Sequence, residues 1–156
     1  MPNYIMELRK WIGHQPVLMV GASVIVEDGQ GRILLQQRTD NHCWGYAGGA
    51  LELGESTEAA AKRELLEETG LVANELELFG VFSGKDFHHV YPNGDEVYIV
   101  DVVYLCKKHT GSLKVQAGEV ERLRFFSANE LPENISPPVK PVLKEWVSSI
   151  SNGRAT

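Results

Sequence analysis

Ten residues, Val97 to Cys106, form an almost unbroken apolar run in the middle of the chain. A strand of that composition is buried on both faces, so it sits inside a sheet that is covered on both sides. Strand-like segments precede it at 17–26, 32–37, 44–51 and 76–82, and follow it at 113–115 and 122–126. The turn signals Asp28-Gly29-Gln30-Gly31 and Tyr91-Pro92-Asn93-Gly94-Asp95 punctuate them. The first of these turns predicts a hairpin between 17–26 and 32–37. Helical spacing of Tyr4, Ile5, Leu8, Trp11 and Ile12 predicts a helix over 3–13. The stripe Val139, Val142, Leu143, Trp146, Val147, Ile150 predicts another over 138–150. Ser127-x-x-Glu130 reads as a capping box opening a brief helix stopped by Pro132. Residues 151–156 read as a loose tail. One domain over 1–156 is expected, an α/β (α+β) fold with a mixed central sheet between helices in an α/β/α sandwich.

A third helix follows Gly49. Ser56 or Thr57 can cap it, Glu58 suits its positive end, and Gly70 can close it in a left-handed cap. At about 100° per residue, Glu68 lies roughly 40° from Glu64, and Glu67 roughly 60° on the other side. Three carboxylates in one sector repel unless a cation joins them. A charge run on a helix is ordinarily a solvated face, but Lys62 points out of this sector. Gly45, Gly48, Gly49 and Gly54 also crowd the helix entrance, where close backbone approach is useful.

These residues carry a resemblance. Gly49-x5-Glu55-x7-Arg63-Glu64-Leu65-x-Glu67-Glu68-x-Gly70-Leu71 resembles the complete signature of the Nudix family, and residues 17 to 132 resemble its MutT-like branch. The resemblance implies a Nudix-type sandwich and a hydrolase of phosphoanhydride bonds in a nucleoside di- or triphosphate derivative. It implies Mg²⁺, or Mn²⁺, held by Glu64, Glu67 and Glu68, with Arg63 orienting a carboxylate. Glu55 is either an outer metal ligand or an acceptor behind the ligands. Family members often use a glutamate outside the signature as base; Glu119 is the better match and Glu121 the second. Gly48 and Gly49 would let a backbone approach phosphate, with Arg38 and Lys85 as phosphate contacts. Ala47 stands where many members have proline, which concerns the stiffness of that loop.

Signatures of several subfamilies are missing. Asp86 stands where ADP-ribose hydrolases tend to carry proline, there is no SQPWPxS-like stretch, and Tyr91 lies beyond the tyrosine position of dinucleoside polyphosphate hydrolases. This favours a nucleoside triphosphate or a small nucleoside diphosphate derivative. Two other readings stay open: an isopentenyl-diphosphate isomerase-like enzyme using Cys43, and a non-catalytic nucleotide sensor. Aromatic and basic residues over 82–98 could stack a base and hold phosphate, or simply pair across a hairpin.

With 15 Lys and Arg against 21 Asp and Glu, the net charge is −6. That disfavours a coat for polymeric nucleic acid or an anionic membrane surface, but not a single nucleotide. Two cysteines make neither a disulfide framework nor a metal-ligand pattern. Without a secretory pattern or a membrane-length apolar run, the expectation is a cytoplasmic protein with a small nucleotide as partner. Whether it forms a homodimer stays open.

Overall fold

The computed structural model describes residues 3–153. The expected central strand is β7, Glu96–Gly111. It pairs in parallel with β1, Val17–Val26, and antiparallel with β5, Leu71–Phe82. A short strand β6, His88–Val90, pairs with its first residues across the turn at 91–95. With β4, Ala47–Ala50, on the far edge of β1, the order is β4-β1-β7-β5, a mixed sheet.

Alternation along β1 and β7 explains why both faces are covered. Ala22, Val24, Val26, Tyr104 and Cys106 pack with Ala60, Ala61 and Leu65 of helix α2, Thr57–Thr69. Ile25, Val103 and Leu105 pack on the other face with Val142, Leu143 and Trp146 of helix α3, Lys140–Ser151. The α/β/α sandwich expected from the sequence is therefore present. Burial on both faces is confined to the Val103–Cys106 end of β7, since Tyr98 is 43% exposed.

Helix α1, Tyr4–Ile12, caps the near end of the sheet by laying Ile5, Leu8 and Ile12 on Val17, Met19 and Val97. Trp11, expected in its apolar stripe, points to water at 88% exposure. Arg9 is buried instead. It donates to the carbonyls of Gly13, Gln15 and Glu96, tying the end of α1 to the start of β7.

Several local expectations are corrected. Residues 17–26 and 32–37 do not form a hairpin. Strand β2, Arg32–Arg38, leaves the first sheet and pairs with β8, Val120–Ser127, and β3, Trp44–Gly45. Both edges of β1 are already taken by β4 and β7, so the link to β2 is limited to the turn, through the Glu27–Ile33 bridge and the Asp28–Arg32 hydrogen bonds. The stretch 44–51 is likewise two strands in two sheets, parting at Tyr46. Residues 113–115 form no strand, with Leu113 and Val115 exposed. The Ser127 motif makes one turn rather than a helix, because the Ser127 hydroxyl binds the Asn129 and Glu130 side chains instead of capping amides. Strand β5 starts at Leu71 rather than 76, straight after the left-handed Gly70. Of the tail expected at 151–156, Ser151 ends α3 and residues 154–156 lie outside the described residues. Among the described residues, no helix is long and apolar enough to cross a membrane.

Candidate active site

Helix α2 is built as its sequence suggests. The Ser56 hydroxyl accepts from the Ala59 amide, and Gly70 closes the helix at φ +80° with its amide bonded to the Leu66 carbonyl. The alanines at 60 and 61 are fully buried, so the helix packs closely on the sheet. Glu64 and Glu68 follow Ala60 at four-residue intervals, and this spacing turns them inward with it. Leu66, on the opposite side, is 52% exposed. The acidic face is therefore aimed at the protein rather than at solvent, and Glu68 is only 5% exposed.

The glycines of β4 receive these carboxylates. A Cβ on Gly49 would stand 2.5 Å from Oε1 of Glu64. A Cβ on Gly48 would stand 2.3 Å from the Ser23 hydroxyl and 2.9 Å from the Ala22 carbonyl. Gly48 has no room for a side chain, and one at Gly49 would displace the Glu64 carboxylate. Glu68 accepts from the Gln36 side-chain amide of β2 and lies near the Gly48 amide and the Glu64 carboxyl. Burial, then the neighbouring Glu64, pushes the Glu68 carboxyl well above its usual range against those two amides.

Arg63 holds the outer part of the cluster. Its Nε and Nη2 donate to the two oxygens of Glu55 at 2.7 and 2.8 Å, and its Nη1 donates to Glu64 at 2.8 Å. Glu67 lies 3.6 Å from the same Nη1. Glu55 also accepts from the Glu52 amide at 3.0 Å. Both Glu55 oxygens are thus engaged, and the residue braces Arg63 and the loop entering α2. The bidentate Arg63 contact holds the Glu55 carboxyl below its ordinary range in spite of partial burial.

Glu119, in the loop before β8, lines one pocket with Arg63, Glu64 and Glu67. Glu121 instead pairs with His42 at 3.0 Å. Gly48, Gly49 and Arg38 line an adjoining pocket on the α3 side of the sheet. Arg38 is paired there with Asp40 through two contacts of 3.1 Å. Lys85 is not brought in: it is exposed on a single 3₁₀ turn and lines neither pocket. Cys43 lines neither pocket either, and its thiol is 3.5 Å from the Asn134 side-chain oxygen.

The donor set suits a hard divalent cation. Glu64, Glu67 and Glu68 offer only oxygen ligands, and two carboxyls pressed together away from water require a proton or a cation between them. Among the described residues, no three acidic, histidine or cysteine side chains converge on a single point. Arg63 holds Glu64 and draws Glu67, supplying the opposing positive charge.

Sequence reasoning missed two features of these pockets. Gln36 reaches Glu68 from the second sheet, and nothing in its strand marks it. Asp101 lines the adjoining pocket and accepts from Ser23 at 2.7 Å and Tyr46 at 2.9 Å. It is the single charged residue within Val97–Cys106, and that interruption was the available signal.

The fold and the inward-facing carboxylate helix define a hydrolase class. The family model described as the NUDIX domain matches residues 17–146, so the chain belongs to the Nudix family, in which it is a pyrophosphohydrolase. It is 45% identical over 136 residues to a Bacillus subtilis protein described as a candidate 8-oxo-dGTP diphosphatase, covering 87% of this chain and 85% of that one. It is 34% identical over 105 residues to an ADP-ribose pyrophosphatase of Methanocaldococcus jannaschii, covering 65% of this chain and 58% of that protein. In structure it resembles a MutT NUDIX hydrolase of Burkholderia pseudomallei with a TM-score of 0.69 at 29% identity, over 83% of this chain and 97% of that one.

Proposed function

We propose that this protein uses Mg²⁺, with Mn²⁺ able to replace it, to hydrolyse a phosphoanhydride bond in a nucleoside triphosphate or a related nucleoside diphosphate derivative. The observation that carries this reading is one pocket shared by Arg63, Glu64, Glu67 and Glu119, beside the side-chain-free edge of Gly48 and Gly49. Glu64, Glu67 and Glu68 would hold the cation. It supplies charge neutralisation of the phosphates and acidification of water. Glu119, lining the same pocket, would accept the proton of the attacking water. Arg63, held by Glu55, keeps Glu64 in position. The relatives' names support a nucleotide substrate, one of them naming a deoxynucleoside triphosphate and another a nucleoside diphosphate derivative. The position of Cys43 outside both pockets disfavours the isomerase reading.

The test is a panel of nucleoside triphosphates, nucleotide sugars and ADP-ribose assayed with Mg²⁺, Mn²⁺ and chelator, with products identified by mass. Metal-dependent hydrolysis is expected, giving phosphate or pyrophosphate from a triphosphate, or a nucleoside monophosphate and a sugar phosphate from a diphosphate derivative. No turnover on any member with either metal refutes the reading.

A further inference from the structure

The pocket beside the carboxylate cluster has a polar floor of unusual chemistry. Asp101 sits in the middle of the central strand and is only 7% exposed, yet it lines the pocket. Burying a carboxylate in the centre of a sheet is costly unless it is hydrogen-bonded. Two hydroxyls meet this cost: Ser23 donates to Oδ1 at 2.7 Å and Tyr46 to Oδ2 at 2.9 Å. Each oxygen of a carboxylate has room for two donors, so each keeps one further acceptor position. Phe87, Ile99 and Val139 give the pocket apolar walls suited to a flat aromatic ring. Gly48 and Gly49 also line it, and Glu64 lies against Gly49, so only side-chain-free backbone divides this pocket from the carboxylate cluster.

On the reading that this pocket receives the nucleoside, we propose that Asp101 is the specificity-determining residue of the site and takes a nucleobase edge with two adjacent N–H donors. A carboxylate with one acceptor position left on each oxygen is matched by a pair of parallel donors. The N1–H and 2-amino edge of guanine-type bases has that pair. Hypoxanthine keeps only the N1–H, and adenine offers a single amino group beside an acceptor. Ser23 and Tyr46 act as positioning residues, fixing the plane of the carboxylate. Tyr46 is 8% exposed and its hydroxyl is committed to Asp101, so the floor is preorganised before any ligand enters.

The experiment compares GTP, ITP and ATP, by equilibrium binding to the protein and by metal-dependent hydrolysis, for the wild type and for Asp101→Asn. The wild type is expected to favour GTP over ITP by about tenfold or more, the worth of one well-placed base contact. Asp101→Asn keeps the shape but replaces one acceptor by a donor. It is expected to erase that preference through KM, with an unchanged melting curve as the check on folding. The wild-type comparison stands without the variant, should the variant fold poorly. Equal binding of GTP and ITP by the wild type overturns the inference whatever the turnover, as does a folded Asp101→Asn protein that keeps the preference. A binding preference for GTP without hydrolysis of any nucleotide leaves this inference standing and sinks the hydrolase reading instead.

Discussion

At the scale of single residues, the site is a set of carboxylates that differ in exposure. Glu67 is 38% exposed at its side chain and Glu64 16%, while Glu68 is buried with Gln36 as its donor. If Glu64 and Glu67 hold the cation, removing either charge loses several kcal/mol of transition-state stabilisation, which is on the order of a thousandfold in rate. Glu64→Gln and Glu67→Gln are therefore expected to lose metal-dependent turnover on that scale while keeping the circular dichroism of the wild type. Near-normal activity in either variant would remove that residue from the site. Glu55 has a different signature. Its carboxyl titrates below its ordinary 4.5, chiefly through the Arg63 contact. A lowered carboxylate contributes stability that is complete above its unfolded value and disappears as pH falls through its folded one. Glu55→Gln should accordingly flatten the loss of stability as pH falls below 4.5. Denaturant titrations of both proteins across that range check it; parallel curves would contradict it.

At the scale of elements, glycines set how closely α2 meets the sheet. Gly70 holds φ +80°, and a Cβ there would lie 2.4 Å from the Ser112 carbonyl. Gly70→Ala combines a left-handed alanine with a backbone clash, so a cost of about 2 kcal/mol or more is expected. In a chain of this size that lowers Tm by at least about 4 °C. Gly49→Ala should act differently, because its Cβ meets a side-chain carboxylate that can swing away. Its Tm should fall little while its activity collapses, and an active Gly49→Ala protein would argue against a working role for the seated Glu64. Much of α2 was legible in the sequence, since capping, alanine content and the Gly70 stop are local properties of the chain. The strand partners were not. Segments 17–26 and 32–37 look like a hairpin because a turn joins them, yet β1 spends its edges on β4 and β7, and β2 finds β8 almost ninety positions away. Pairing is a competition among all available edges, and a local turn signal does not see the competitors.

At the scale of the whole molecule, α3 locks the two sheets together. Trp146 is fully buried among Ile25, Ile33, Leu35 and Phe126, and its indole N–H donates to the buried Glu27 at 3.0 Å. Trp146→Ala should cost about 3–5 kcal/mol and shift the denaturant midpoint accordingly. A variant as stable as wild type would show that α3 is dispensable for joining the sheets. Glu119 belongs to this scale as well: it meets Arg63 and Glu64 in one pocket only because β8 and the loop before it are anchored in the second sheet. A family pattern could nominate it, but nothing near it in sequence carries its partners.

The sequence by itself determined the acidic helix, its caps, the glycine approach and a central strand covered on both sides, because these depend on neighbours a few residues apart or on hydrophobic alternation. Tertiary structure decided which carboxyl is buried, that Arg63 is clasped by Glu55, that Lys85 stands outside the site, and that Asp101 forms the floor of the adjoining pocket. Those outcomes turn on distances between segments tens of residues apart. They are settled by edge pairing and by packing against the sheet, neither of which leaves a local trace in the chain.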